Sequence, residues 1–397
     1  MKILVSAYAC EPGKGSEPEV GLRAMMAAAS RHDVWVLTRE NNIGPLQSHL
    51  SDHPLGDRIA LIGIDSRGLA RKLKPRLGTV GIQWYYRVWQ SLASREAERL
   101  DREIGFDVVH HSTFASFWAP IGVASLDRPL VIGPVGGGVS PPLLLVSELG
   151  VKGMVTDGAR LIFRSLMLLL PGAMAGLQRA KVLFVQNPET LKRVGSLPTT
   201  KLLPNALSVD VGHLGLAPSH RRREIVSTGR LIPLKGGVTA VRVLRHLKHA
   251  DVRLVMIGDG PDRGRIMRMA HRLGVGDRVD ILGWQPREAA LRRVREAGVL
   301  LHAALHEEAP LSVAEALSLG TPVVTYDHGG PAQVLQSWPS EMWKAVEAST
   351  PEESARRLAT ACDEFLGSPP PIPSEPVMPS VSFVNAILDA YDEAVSG

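Results

Sequence analysis

The stretch Leu305-His-Glu-Glu-Ala-Pro-Leu-Ser-Val-Ala-Glu-Ala-Leu-Ser-Leu-Gly-Thr-Pro-Val-Val324 decides how this chain is read. It predicts a loop, a short helix over Ser312–Leu319 and a buried strand at Pro322–Thr325. An apolar run at Val299–Ala303 precedes it, so the order is strand, loop, helix, strand, the unit of a parallel sheet. Two acids stand in this stretch, Glu307 in the loop and Glu315 inside the helix. Ser312-x-x-Glu315 is a capping box, which needs no ligand. Equally, a loop acid and a helix acid entering one crevice can hold two parts of one ligand.

The same rhythm continues on both sides. Upstream in the second half, strands are predicted at Glu224–Thr228, Arg253–Gly258 and Arg278–Leu282. Between them come a helix ending at His249, a helix starting near Pro261 and another over Pro286–Ala297. The first half predicts strands at Lys2–Tyr8, Asp33–Thr38, Arg58–Ile64, Phe106–His111, Pro129–Val135, Lys181–Gln186 and Lys201–Pro204. Helices are expected over Glu17–Arg31 and Gly81–Arg102. Strands that are apolar without alternation are buried on both faces, as in parallel α/β sheets. Ser208–Arg223, with Pro218 and three successive arginines, reads as a linker. With 397 residues, two domains are expected: 1–207, joined by a terminal helix at 381–397 after the Pro-rich run Pro369–Pro379, and 208–380.

Composition excludes several classes. Hydrophobic residues are 45% and charged residues 21% of the chain, ordinary for a globular protein. Cys10 and Cys362 are the only cysteines, too few for a disulfide framework or a Cys-rich zinc site, which predicts a reducing, cytoplasmic setting. Met1–Tyr8 lacks the apolar length of a signal peptide. The run Leu161–Leu170, broken by Arg164 and followed by Pro171-Gly172, is too short to span a bilayer. It reads as a buried helix, with contact at the inner membrane face as the alternative. Residues 1–205 hold 24 Lys/Arg against 17 Asp/Glu, net +7, whereas the remainder is net −2. That balance suits an anionic partner in the first half. The basic patch Arg71-Lys-Leu-Lys-Pro-Arg76 is not interleaved with aromatics, so no nucleic acid is expected.

Several turns carry candidate chemistry. Gly13 and Gly15 sit between the first strand and its helix, where free N–H groups make an anion site; Ser16 and Glu19 form a second capping box. His110 and His111 end a strand, the place where open α/β sheets bind ligands. Gly136, Gly137 and Gly138 imply either a close backbone approach to something or a flexible loop. No G-x-G-x-x-G follows a strand, which argues against a NAD-dependent dehydrogenase.

Taken together, Gly229-Arg230-Leu231…Lys235-Gly236, Gly258-Asp-Gly-Pro261 and Glu307-x7-Glu315-Ala316…Gly320-x-Pro322-Val-Val resemble the retaining glycosyltransferases of the group 1 type, also called family 4. The N-terminal glycine loop and Asp107-Val-Val-His110 fit that resemblance too. It implies a GT-B fold: two Rossmann-like domains with parallel sheets facing across a cleft, the second binding a nucleoside-diphosphate sugar. Glu315 is then implied at the ribose hydroxyls and Glu307 at the transferred sugar, with Arg230 and Lys235 stabilising the leaving diphosphate. Gly283, Trp284, Glu308, Leu311 and Ser312 join Gly13, Gly15, His111, Gly136 and Gly137 as expected substrate-binding positions.

The family's His-x-His reads His110-His111-Ser112 here. Adjacent strand residues face opposite ways, and His110 is the one expected beside the donor sugar. The common Glu-Gly-Phe-Gly-Leu motif is replaced by Glu307-Glu308-Ala309-Pro310-Leu311, and Pro310 lacks an N–H donor. No Asp-x-Asp occurs, so no metal or other cofactor is expected. The acceptor is expected near Gly136–Gly138 and Trp84–Trp89 and is a glycan, a lipid-linked sugar or a small metabolite. The alternatives are a sugar-nucleotide epimerase or hydrolase of the same fold, and a catalytically silent sugar-nucleotide-binding subunit.

Overall fold

The computed structural model describes residues 1–14, 16–65, 78–113, 116–168, 174–195, 199–209, 211, 214, 220–373 and 375–396. Gly15, the side chain of Ser16, the basic patch at 71–76 and much of the expected linker lie outside the described residues.

Two parallel sheets account for every strand named here. The first runs β3 (Ile59–Ile64), β2 (Asp33–Arg39), β1 (Lys2–Ser6), β4 (Val108–His111), β5 (Leu130–Val135), β6 (Val182–Val185), β7 (Thr200–Leu202). The second runs β10 (Val279–Gly283), β9 (Arg253–Ile257), β8 (Arg222–Thr228), β11 (Ala297–His302), β12 (Val323–Tyr326), β13 (Trp343–Val346). In both, the order reverses beside the first strand laid down, which is the doubly wound pattern. The central strands explain why: β4, β5, β11 and β12 are buried along their whole length, so each needs helices on both faces.

The chain divides into two compact units. The first comprises Met1–Gly138, Ile162–Ser208 and Ser382–Gly397; the second comprises Val139–Leu161 and Val209–Val381. Residues 139–161, expected in the first domain, therefore cluster with the second. Leu145 and Leu149 join its core beside Leu244 and Met256, and the buried Glu148 accepts from Thr239 Oγ1 (3.2 Å). The C-terminal helix Phe383–Ser396 belongs to the first unit, where Ile387 and Tyr391 are fully buried.

The run expected to be a buried helix is a different object. It ends the helix Gly150–Leu168, on which Ile162, Leu166 and Leu168 are exposed while Arg164 is buried. Arg164 donates to the Gly137 carbonyl (3.1 Å), so the charge, not the apolar chains, turns inward. No helix among the described residues is long and apolar enough to cross a membrane.

Candidate functional site

The second sheet reverses order between β8 and β11, and a crevice outside the carboxyl ends of such strands is where open α/β sheets take ligands. β8 runs out into Gly229-Arg230 and β11 into the loop ending at Glu307. Backbone bonds fix both turns. Leu231 N donates to Asp259 O (2.9 Å), Leu305 N to Leu234 O (2.8 Å) and Gly330 N to Glu307 O (3.0 Å). Gly236 decides how closely the turn Pro233–Lys235 lies on β11: its φ is 69°, and a Cβ there would stand 1.8 Å from the Ala303 carbonyl oxygen. No other residue fits both demands.

That approach brings two expected site residues together. The Lys235 ammonium forms an ion pair with Glu307. His302, the last residue of β11, is buried close to both. Its pKa is pushed down to about 4 by burial and by the Lys235 charge, against the pull of Glu307. Its Nε2 has no hydrogen-bond partner among the described residues. Arg230 lies exposed at the end of β8.

Glu315 is buried in the helix Leu311–Ser318, and its carboxylate pairs with Arg287. The capping box does not form. The helix starts at Leu311 behind Pro310 (φ −74°), so Ser312 falls inside the first turn and no side chain caps it. A proline pre-set near helical φ moves the start by one residue and leaves Glu315 available to a cation. Arg287 escaped the sequence reading. The signal for it was indirect: a carboxylate buried on a helix demands a charged partner.

The remaining expectations divide. Leu311 and Ser312 are half-buried at the helix start, and Trp284 is exposed just past β10, after Gly283. Glu308 accepts from Val139 N (3.1 Å), which gives it a structural partner within the unit. In the first unit, Gly13 (φ 73°) is exposed before the helix Ser16–Ala29.

The choice of His110 over His111 does not suit the structure. His110 is buried with Nδ1 at 2.7 Å from Tyr391 Oη and Nε2 at 3.1 Å from the Gly133 carbonyl, so both ring nitrogens serve the interior. His111 meets Tyr86 Oη through Nε2 (3.3 Å), and its Nδ1 has no partner among the described residues. Burial lowers the pKa of His110 to about 4; for His111 burial and the His110 charge lower it to about 3. Gly137 and Gly138 find a close approach within the protein. A Cβ on Gly137 would stand 2.1 Å from the Trp118 ring, and Gly138 N donates to Thr190 Oγ1 (3.1 Å). At Gly137 and Gly138 the packing itself demands glycine.

The second unit thus gathers three cations (Arg230, Lys235, Arg287) and two carboxylates (Glu307, Glu315) on loops and helix starts that follow its strands. Such a set can meet an anion and several hydroxyls at once. The model of the family "Glycosyl transferases group 1" matches residues 216–366. The chain is 36% identical to D-inositol 3-phosphate glycosyltransferase of Segniliparus rotundus over 152 residues, 34% of this chain and 33% of that protein. It is 34% identical to 2-deoxystreptamine glucosyltransferase of Streptomyces kanamyceticus over 104 residues, 26% and 27% of the two. The matched segments span less than half the length of these curated relatives.

Solved structures extend the likeness to the whole chain as a fold. The Anabaena protein Alr3699/HepE, solved with UDP, gives a TM-score of 0.60 at 16% identity over 100% of both chains. The lipopolysaccharide outer core galactosyltransferase WaaB gives 0.61 at 14% over 100% of this chain and 99% of that one. The fold is GT-B. Residues 216–366, within the second unit, match the model of the glycosyl transferases group 1 family.

Proposed function

We propose that this protein is a glycosyltransferase that moves a sugar from a nucleoside-diphosphate sugar to an acceptor hydroxyl. The observation that carries the reading is the pair of ion pairs Lys235–Glu307 and Glu315–Arg287, with Arg230 on the turn after β8, all on segments that follow strands of the second sheet within the residues matched by the group 1 model. Breaking the anomeric C–O bond places negative charge on the departing diphosphate. Fixed cations aimed at that charge lower the barrier more than they stabilise the bound donor. In this reading Arg230 and Lys235 take the diphosphate, joined by the first N–H groups of the helix Leu311–Ser318. Glu307 accepts from hydroxyls of the sugar while holding Lys235 in place. Glu315, oriented by Arg287, accepts from the ribose, and Trp284 offers a face to the base.

The acceptor hydroxyl attacks the anomeric carbon on the face the diphosphate leaves, giving retention, and its proton passes to a departing phosphate oxygen. Neither a metal nor a protein nucleophile is required by this scheme. In the first unit the histidine role falls to His111, whose Nδ1 has no partner among the described residues.

Thermal shift against a panel of nucleoside-diphosphate sugars tests the donor, since a ligand bound only by the folded state raises the melting temperature. Product analysis with and without acceptor, and with EDTA, tests the rest. Transfer with retained anomeric configuration in EDTA supports the scheme. Acceptor-independent conversion means epimerase or hydrolase chemistry, and binding without turnover means a silent subunit. No shift with any nucleotide sugar removes the reading altogether.

A further inference from the structure

His110 and His111 end β4 side by side, and each meets a tyrosine hydroxyl, but through opposite nitrogens. His110 has Tyr391 Oη at Nδ1 (2.7 Å) and the Gly133 carbonyl at Nε2 (3.1 Å). His111 has Tyr86 Oη at Nε2 (3.3 Å), and its Nδ1 is buried without a hydrogen-bond partner among the described residues. Ser6, the register partner of His111 on β1, leaves its Oγ unpartnered too, so these two neighbours do not satisfy each other. Both rings are neutral at ordinary pH, since burial above all lowers their pKa values to about 4 and 3. A neutral imidazole has one donor and one acceptor, and the bond made at one nitrogen decides the role of the other. For His110 the choice is forced. A carbonyl only accepts, so the proton sits on Nε2 and the Tyr391 hydroxyl donates to Nδ1.

We propose that Tyr86 is a positioning residue: by donating to Nε2 it fixes His111 as the Nδ1–H tautomer, opposite to His110, and so presents Nδ1–H as a donor to a hydroxyl oxygen of the bound sugar. Tyr86 is fully buried on the helix Gly78–Ile104. Burial and the Glu17 carboxylate raise its phenol well above its ordinary pKa, so the hydroxyl keeps its proton. A buried hydroxyl proton needs an acceptor, and the bare nitrogen of an imidazole is a better one than a phenol oxygen is for an imidazole N–H. With Nε2 taken as acceptor, the ring proton is left on Nδ1. A buried N–H without a partner destabilises the free protein, and a ligand oxygen that meets it recovers that loss on binding. The ligand in this assignment rests on the function proposed above; the tautomer does not.

Nitrogen-15 spectra of the full chain labelled at histidine read the tautomer, with His111→Asn identifying the ring. The expected spectrum has the His111 proton on Nδ1. Tyr86→Phe, which removes only the hydroxyl, should move it to Nε2, the form an unconstrained imidazole favours in water. In turnover with a donor found by thermal shift, Tyr86→Phe and His111→Asn should each lower kcat/KM about tenfold, the worth of one hydrogen bond. The double variant should lose no more than His111→Asn alone, because Tyr86 acts through His111. A residue that merely fills the core would leave the tautomer unchanged and give additive losses. The proposal is overturned by a wild-type His111 protonated on Nε2, by an unchanged tautomer in folded Tyr86→Phe, or by additive losses. If Tyr86→Phe does not fold, the wild-type spectrum decides alone. A chain that binds no nucleotide sugar removes the function proposed above, while the spectra still decide the tautomer.

Discussion

Arg287 and Glu315 behave as one group. Each is an ion partner of the other, so removing either weakens the compensation of a charge in a partly buried place. In a double-mutant cycle, Arg287→Ala, Glu315→Gln and the double variant are expected to be non-additive by about 1–3 kcal/mol in donor affinity. Additive effects would mean that the pair has no part in ordering the site. Arg230 stands exposed with no ion partner among the described residues, so its contribution falls on the ligand. Arg230→Ala should lower kcat by about 10²–10³-fold, the magnitude of one lost transition-state donor, with a smaller change in KM. Gly137 is the contrasting case, a residue whose packing alone demands glycine. Its φ of 101° and the 2.1 Å approach to Trp118 predict that Gly137→Ala costs about 2–4 kcal/mol in urea unfolding, with altered tryptophan fluorescence.

At the level of elements, the sequence carried most of the fold and only part of the site. The central strands were legible because both their faces are buried, which writes an unbroken apolar run into the chain, whereas β13, half-buried throughout, carries no such run and was not predicted. The helix Glu40–Leu50 was not foreseen, since Gly44 and Pro45 stand inside it and read as a turn. The helix Pro351–Gly367 was missed although it announces itself: Thr350 accepts from Glu353 N (3.4 Å), Pro351 follows the cap, and Glu352 and Glu353 fill the first turn. Thr350→Ala should therefore lower stability by about 1 kcal/mol, readable as a shifted denaturant midpoint. Arg230, Lys235, Glu307 and Glu315 could be named from their motifs because local spacing sets them. Pairings could not be named, because Lys235 reaches Glu307 across 72 positions and Arg287 reaches Glu315 across 28. The choice between His110 and His111 turned on Tyr391, far along the chain, which no local pattern announces.

Across the whole molecule, three buried histidines set the response to acid. His110, His111 and His302 have folded pKa values of about 4, 3 and 4, below the ordinary 6.5, chiefly through burial. The unfolded chain takes up these protons first, so stability falls as pH drops from about 6.5 towards 3–4 and is level above that window for these groups. The loss should be on the order of a few kcal/mol per histidine by urea unfolding at stepped pH. A midpoint unchanged between pH 7 and 4.5 would contradict it. Because the histidines fall in both units, each unit should show the loss.

The helix Phe383–Ser396 gives His110 its Tyr391 hydroxyl and lies in the same unit as residue 208, yet the chain spells out the second unit in between. During synthesis at about 5–20 residues per second, that interval lasts roughly ten to thirty seconds. For that time the first sheet waits on the ribosome with the pocket for Tyr391 open and apolar surface bare, while the second unit can already close. The earlier-made unit is thus the later-finished one, and a nascent chain of this protein is most exposed to chaperones through the half it makes first.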